Sequence, residues 1–342
     1  MDRALTRPRL AVVAGDPAGI GPELVARLLA DPLSQQAELL LVADPTVLAD
    51  GMAVAGARSA LAPVGGVERG LGPGTQPALL ALPLPGPVAR AQSSAAGGRH
   101  CLDALRIALQ AVRGGHADAL LFAPLNKHSL HLAGMDTADE LHWFARELGH
   151  GGPTSEFNVM DGLWTSRVTS HIALREVAER ITPERITQAI ELILQAVQDS
   201  GVAQPRIAVC GLNPHNGDNG SFGREELDVI GPTVQAARAR GLPVDGPFAA
   251  DTIFLKVQGP DRDHRAYDGI VTMYHDQGQI AMKLMGFQRG VTVQGGLPVP
   301  IATPAHGTAF DIAGQGRAHP GAMLQAFGIA CGMARSRIAT RA

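Results

Sequence analysis

Short apolar runs alternate along this chain with longer amphipathic stretches, and that alternation narrows the fold more than any other feature. Residues 9–15, 37–44, 117–123, 206–212 and 268–273 are rich in Val, Ile and Leu, and most end at or just before Gly, Pro or Asp. Their apolar positions are consecutive rather than alternate, as a strand requires when both faces of its sheet are covered, so they read as buried strands. Between them lie helical patterns. The clearest opens at Thr182-Pro183-Glu184, with Thr182 placed to cap and Pro183 at the first helical position. Ile186, Ile190, Ile193, Leu194 and Val197 then recur at helical spacing until Gly201 ends the run. Such alternation predicts an α/β architecture with a largely parallel sheet. In that architecture, function gathers at the C-terminal ends of the strands.

A chain of 342 residues exceeds what one hydrophobic core usually supports, so two domains are expected. The Pro, Gly, Ala and Ser-rich stretch 84–98 reads as a surface connection, with a helical pattern resuming at His100, and no internal repeat stands out. With 29 basic and 32 acidic residues, the net charge of -3 offers no broad attraction to nucleic acid or to an anionic membrane. Cys101, Cys210 and Cys331 are odd in number and set among apolar neighbours. They fit reduced thiols in a cytoplasmic protein better than a disulfide framework, and none reads as a nucleophile. Residues 1–8 lack the apolar core of a signal peptide, and no apolar run approaches the roughly 20 residues that span a bilayer.

Three of the 12 histidines share a context. His171 in Thr169-Ser170-His171, His215 in Asn213-Pro214-His215-Asn216-Gly217 and His275 in Met273-Tyr274-His275-Asp276-Gln277-Gly278 each follow an apolar run. Taken singly, each is a satisfied core or loop residue. Assembled by the fold, three neutral imidazoles would suit a Zn, Co or Fe-type divalent ion and leave positions open for substrate. Residues 15–23, Gly-Asp-Pro-Ala-Gly-Ile-Gly-Pro-Glu, follow the first strand and open a helix, without the G-x-G-x-x-G spacing of a dinucleotide turn. Two readings stay open for them: a structural turn, or a lining of the site where helix-start amides meet an anion. Asp251, beside a turn signal, is either an N-cap or a proton-transfer carboxylate. Lys127 and Lys283, in apolar company, are either snorkelling surface residues or desolvated charges facing an anionic substrate.

The segment His306-Gly307-Thr308-Ala309-Phe310-Asp311-Ile312-Ala313-Gly314-Gln315-Gly316 resembles the adenosine-binding loop of isopropylmalate and isocitrate dehydrogenases. Glycines there let backbone approach a nucleotide closely. Together with residues 15–23, 124–127, 169–174, 212–217, 246–254 and 274–278, it resembles the 4-hydroxythreonine-4-phosphate dehydrogenase family over nearly the whole chain. The resemblance implies an isocitrate/isopropylmalate dehydrogenase-like α/β fold: two domains, a largely parallel sheet and an interdomain active-site cleft. It also implies a homodimer whose partner completes the site. Residues 1–125 plus 282–342 would then form a cofactor-side domain, and 126–281 a central metal, substrate and dimerisation domain. By the same resemblance the metal ligands are His171, His215 and His275, holding Zn, Co or Mg. The NAD or NADP loop contributes His306, Gly307, Thr308, Asp311, Gly314 and Gly316, and Asp251 or Lys127 moves the proton. The implied reaction oxidises a secondary alcohol in a small hydroxy acid to a β-keto acid that readily loses carbon dioxide. A divalent ion chelated by that alcohol lowers its pKa.

The chain departs from that family in its substrate positions. Where the family has Gly-His-Thr-Glu, this chain reads Asp139-Glu140-Leu141-His142, so that Glu140 and Leu141 replace the substrate-contacting His and Thr. The family's substrate Asn and Arg align with Thr292 and Ile301, while its Lys is kept as Lys283. Losing an Arg and a His while gaining Glu140 weakens the grip on a phosphate dianion. The implied substrates are therefore 4-hydroxythreonine phosphate, phosphothreonate or phosphoerythronate, or a carboxylated cis-dihydrodiol. A phosphate acyltransferase-like enzyme needing neither metal nor NAD is the alternative from another class.

Overall fold

A computed structural model describes residues 7–69, 76–257 and 264–341. Residues 1–6, on which most of the signal-peptide reading rests, lie outside the described residues. The chain divides into two compact units, Met1–Gly152 with Val291–Ala342 and Pro153–Gly290.

The first unit contains β1 (Arg9–Val13), α1 (Gly21–Ala30), β2 (Glu38–Ala43), α2 (Pro45–Ala55), β3 (Ala62–Val64), β4 (Ala78–Ala81), α3 (Ala95–Arg113), β5 (Ala119–Phe122), α4 (Lys127–Leu132) and α5 (Glu140–Glu147). The second contains β6 (Ser155–Met160), β7 (Leu163–Arg167), α6 (Val177–Arg180), α7 (Pro183–Asp199), β8 (Ile207–Cys210), α8 (Gly231–Ala239), β9 (Val244–Phe248), α9 (Ala250–Ile253), β10 (Gly269–Thr272) and α10 (His275–Gly286). The chain then returns to the first unit with β11 (Val291–Gly295), β12 (Ile301–Pro304) and α11 (Gly321–Arg341).

Within the first unit the strand order is β3-β4-β2-β1-β5-β12-β11, parallel except for β11. Within the second it is β6-β7-β10-β8-β9, parallel except for β6. The α/β class with a largely parallel sheet is therefore as the apolar runs predict. β6 and β7, which those runs did not mark, are joined by Asp161-Gly162, both at positive φ, as a tight hairpin requires.

Both units use one device to set strand register. Arg9 opens β1 and Asp118 precedes β5: the Arg9 amide donates to Asp118 Oδ2 at 2.8 Å and its guanidinium to Oδ1 at 3.0 Å, while the Asp118 amide donates to the Arg9 carbonyl at 2.7 Å. Arg206 and Asp268 repeat the pattern before β8 and β10, with the Arg206 amide on Asp268 Oδ2 at 2.8 Å and the Asp268 amide on the Arg206 carbonyl at 2.8 Å. Each pair holds two neighbouring parallel strands at their N-terminal ends.

The unit borders fall at 152/153 and 290/291, where the family resemblance had placed them at 125/126 and 281/282. At the first border the physical reason is α5. Trp143 and Phe144 are fully buried in the first unit's core, in edge contact at 5.2 Å, and Phe144 lies 5.6 Å from Phe122 of β5. α4 is held to the same unit through α3, which begins at Ala95 rather than near His100 because Ser94 Oγ caps it, accepting from the Gly97 amide at 3.0 Å. At Gly98 the two helices touch: an added Cβ would stand 1.9 Å from the Ser129 carbonyl oxygen.

Gly98→Ala should therefore force α3 and α4 apart and lower stability by about 1–3 kcal/mol, as overpacking does. Gly328→Ala on α11, where a Cβ meets nothing within 4 Å, should be neutral or stabilising by about 0.4–1 kcal/mol. Urea denaturation of the two variants checks the contrast, and equal losses would refute the packing argument.

Candidate functional site

The chemistry-bearing residues of the second unit stand at one edge of its sheet. β7, β10 and β8 are adjacent and parallel, so their C-terminal ends point the same way. His171 follows β7, His275 follows β10 and opens α10, and His215 follows β8. Hydrogen bonds tie these loops together. The Thr169 amide and hydroxyl both donate to the Met273 carbonyl, at 3.1 and 2.8 Å. Gln277 accepts the Met273 amide at 2.7 Å and donates to the Gly211 carbonyl at 2.9 Å. Arg167, its side chain almost wholly buried, donates to Ser170 Oγ at 3.0 Å and to Asn158 Oδ1 at 2.9 Å, which fixes the residue beside His171.

His171 and His275 have ring centroids 5.7 Å apart and line one cavity of about 230 Å³ with Thr169, Ser170, Tyr274 and Asp276. His275 Nδ1 lies 2.7 Å from Asp276 Oδ1. A carboxylate on one ring nitrogen orients an imidazole and leaves the other nitrogen for a ligand. His215 lies instead 6.5 Å from the Phe222 ring. Among the described residues, no three His, Cys, Asp or Glu side chains stand close enough together to hold a metal ion. Two of the three histidines thus share a cavity, and the third shares their sheet edge.

The loops are conformationally unusual. His171 has φ of 46° and the five residues from His215 to Asn219 all have φ between 43° and 75°. Non-glycine residues adopt this left-handed region rarely, and it recurs at ligand-binding sites. Ala309, inside the proposed cofactor loop, has φ of 43°.

In the first unit, β1, β5 and β12 are adjacent and parallel, and their C-terminal ends carry residues 14–20, 123–127 and 305–316. The strand order turns about β1 and β5, the place where open α/β sheets form a crevice for ligands. The amides of Ala18, Gly19 and Ile20 are taken by Asp16 Oδ1 at 2.8 Å, the Asp16 carbonyl at 3.0 Å and the Thr308 carbonyl at 3.0 Å. These three amides, which precede the helix, are therefore engaged within the turn and with the 306–316 loop. What that turn does is seat the 306–316 loop. Glu23 continues the seat by accepting from Arg27 at 2.8 Å and from the Ala318 amide at 3.0 Å, and Arg27 also donates to the Gly316 carbonyl at 2.8 Å. Burial pushes the His306 imidazole down from its ordinary 6.5, against a contact with the Gly307 carbonyl.

Asp16 itself escaped the sequence reading. It is 1% exposed, and its Oδ2 makes no hydrogen bond. Burial pushes its carboxyl up from 3.8, outweighing the Ala18 amide and the Ser129 hydroxyl. Its position directly after a strand-ending glycine was the available signal.

The other candidate positions fall as follows. Lys127, exposed, opens α4 behind the N-cap Asn126, and Asp251 is exposed in the first turn of α9. The N-cap of α9 is Ala249, so Asp251 is not a cap. Lys283 is exposed on α10, and Glu140 is half-buried in the first turn of α5. Burial pushes the Asp139 carboxyl up, but the His142 amide and ring at 2.9 and 2.6 Å, with the charge of Lys127, hold it below 3.8 overall. Leu141 and Thr292 are buried. Ile301 is 0% exposed within the first unit's apolar core, so its side chain offers no face to a ligand and the substrate role given to it is corrected. The three cysteines are buried and free, and burial pushes the thiols of Cys210 and Cys331 up to about 12, which keeps them inert.

Comparison with known proteins gives this arrangement a family. The model of the family described as Pyridoxal phosphate biosynthetic protein PdxA matches residues 35–330. The chain belongs to this family. It is 60% identical over 339 residues to a Pseudomonas aeruginosa protein provisionally named 4-hydroxythreonine-4-phosphate dehydrogenase 2, covering 96% of this chain and 98% of that one. It is 35% identical over 340 residues to a Bradyrhizobium diazoefficiens protein provisionally named D-threonate 4-phosphate dehydrogenase, covering 94% and 95%. The solved 4-hydroxythreonine-4-phosphate dehydrogenase of Klebsiella pneumoniae superposes with a TM-score of 0.83 at 33% identity, covering 96% of this chain and 99% of that one. The chain is accordingly a dehydrogenase, and the acyltransferase alternative loses its ground. Among the described residues no helix is long and apolar enough to cross a membrane.

The buried Asp16 has a measurable consequence for the PdxA-family chain. Because its folded pKa is raised, its ionisation opposes folding as pH rises above 3.8, and the penalty is complete above the raised value. Asp16→Asn keeps an acceptor for the Ala18 amide and removes that penalty. Its stability relative to the parent should therefore increase between pH 4 and pH 8 in urea titrations, and a difference independent of pH would refute the assignment.

Proposed function

We propose that this chain is a divalent-metal- and NAD(P)-dependent dehydrogenase that oxidises the secondary alcohol of a small phosphorylated hydroxy acid. The carrying observation is the placement of His171, His215 and His275 just after the ends of three adjoining parallel strands, two of them lining one cavity. The donors suit the group: imidazole favours Zn or Co over Mg, and the contact between His275 Nδ1 and Asp276 supplies the second-sphere carboxylate such ligands usually have. When bound, the ion supplies acidity to a chelated hydroxyl and NAD(P) accepts the hydride. The β-keto acid formed readily loses carbon dioxide.

The chain's own residues divide the remaining work. His306, Gly307, Thr308, Asp311, Gly314 and Gly316 form the cofactor loop, and its seating on the 15–23 turn through Thr308 supports that role. Asp251, exposed just after β9, or Lys127, exposed after β5, receives the alcohol proton. Lys283 meets the phosphate, and Glu140, Leu141 and Thr292 are the further substrate-binding positions. Homodimerisation belongs to the same reading. Ile280 and Leu284, one turn apart on α10, are 59% and 83% exposed, an apolar display that a subunit contact would cover. Residues 1–152 with 291–342 serve the cofactor, and 153–290 serve the metal and the partner.

The D-threonate 4-phosphate name of one relative supports a phosphothreonate-type substrate as strongly as the hydroxythreonine phosphate name of others supports that compound. NAD(P) reduction followed at 340 nm, with each compound beside a carboxylated cis-dihydrodiol, with and without Zn or Co, separates them. Expected is metal-dependent turnover of a phosphorylated acid that falls at least a hundredfold in His171→Ala and His275→Ala. Full activity of either variant without metal would sink the metal reading. Leu284→Glu should lower the sedimentation coefficient from dimer to monomer, and a wild-type monomer would refute the subunit contact.

A further inference from the structure

The loop after β8 holds a left-handed run that cannot stand by itself. From His215 to Asn219 the backbone stays at positive φ, and only Gly217 among the five is a glycine. L-residues disfavour this conformation at each position, so the surroundings must impose it. Beneath it stands Glu226. This carboxylate is buried, and its Oε1 accepts the amides of Leu212 and Asn213, each at 2.7 Å, while Oε2 accepts Asn213 Nδ2 at 3.0 Å. The turn then closes directly over it: a Cβ on Gly217 would stand 2.8 Å from Glu226 Oε2. On the far side Asn216 Nδ2 donates to the Pro247 carbonyl at 2.9 Å, and the Phe222 amide donates to the Gly217 carbonyl at 3.0 Å. Glu226 also opens a π-helical turn, Glu226–Ile230, a widened geometry that recurs at functional sites.

We propose that Glu226 is a positioning residue: by binding the amides ahead of His215 it sets the left-handed turn that aims this imidazole, and so sets metal affinity without touching the metal. Three donors already occupy its oxygens, which argues against a ligand role. The proposal rests on the metal reading given above. It deepens that reading by naming what holds the ligand that the cavity of His171 and His275 does not include.

The test is Co²⁺ binding by the full-length apo protein, read by calorimetry and by the visible absorption of the bound ion. The variants are Glu226→Gln, Glu226→Asp and His215→Ala, with Ile190→Val as a buried control elsewhere in the unit. Both Glu226 variants should bind Co²⁺ at least tenfold more weakly and shift its absorption band. Glu226→Asp keeps the charge and withdraws the carboxylate by one methylene, so it tests position where the Gln variant fails to fold. Ile190→Val should lose thermal stability with an unchanged Kd, which separates positioning from general loosening. If His215→Ala weakens binding while both Glu226 variants bind within twofold of the parent, the positioning role is wrong. If His215→Ala itself leaves Kd unchanged, His215 is no ligand and the role of Glu226 falls with it.

Discussion

Register of the short parallel strands is the constraint on which the rest depends. β5, β8 and β10 have only four residues each, so a one-residue slip would move the following loop by about 3.3 Å and turn its side chains to the other face. At a catalytic site a misplacement of only about 1 Å can cost about a hundredfold in rate. The Arg9–Asp118 and Arg206–Asp268 pairs act at the opposite ends of the strands from the chemistry. In each, guanidinium, carboxylate and both backbones engage together, so neither strand can slide without breaking several hydrogen bonds at once. Fixing where the strands begin fixes which residues reach the far edge.

At that far edge the loops present backbone amides that no strand neighbour can satisfy, and buried carboxylates take them instead. Asp16 accepts from Ala18, Glu23 from Ala318, Glu226 from Leu212 and Asn213. A charge-assisted acceptor buried beneath a loop is stronger than a neutral one and does not exchange with water. Glu226 lies directly beneath the left-handed 215–219 run, while the loop of His171, also left-handed, is tied through Arg167 and Thr169. Rigid placement of a side chain on an irregular loop is what a binding site on an α/β scaffold demands.

Much of this was legible in the residues. The five continuous apolar runs correspond to β1, β2, β5, β8 and β10, because strands covered on both faces carry their own signature. The histidines were placed at strand ends by the same logic. The other strands lack such a run: β6, β7, β9 and β11 contain polar residues, and β3, β4 and β12 are broken or bounded by Pro63, Pro77, Pro300 and Pro304. The matching of Pro8-Arg9-Leu10-Ala11-Val12 with Pro205-Arg206-Ile207-Ala208-Val209, and of Asp118 with Asp268, was visible but meaningless until pairing showed that each Arg meets its own Asp. The unit borders were misplaced because α5 looks like an ordinary amphipathic helix, and only packing reveals that Trp143 and Phe144 belong to the first core. Which carboxylates would be buried was unreadable for the same reason: burial is a property of tertiary neighbours, and Asp16, in apolar local sequence, and Glu226, in charged local sequence, are both buried.

On the proposed reading, the substrate positions at which this chain departs from its family have a physical asymmetry. Leu141 and Ile301 are buried in this chain, and Ile301 contributes to the first unit's core. Burying such a side chain is favourable by about 1.5–3 kcal/mol, so replacing a ligand-facing polar residue there gains stability as it loses a contact. The histidine loops have no such freedom. Thr169, Met273, Gln277 and Gly211 are joined in one hydrogen-bond chain, and Arg167 anchors its start. Altering one member leaves a buried donor or acceptor unpaired, at about 1–3 kcal/mol. On the proposed reading, a family built this way can change what it recognises at the core-backed positions while its metal-bearing edge stays the same. That is the pattern this chain presents.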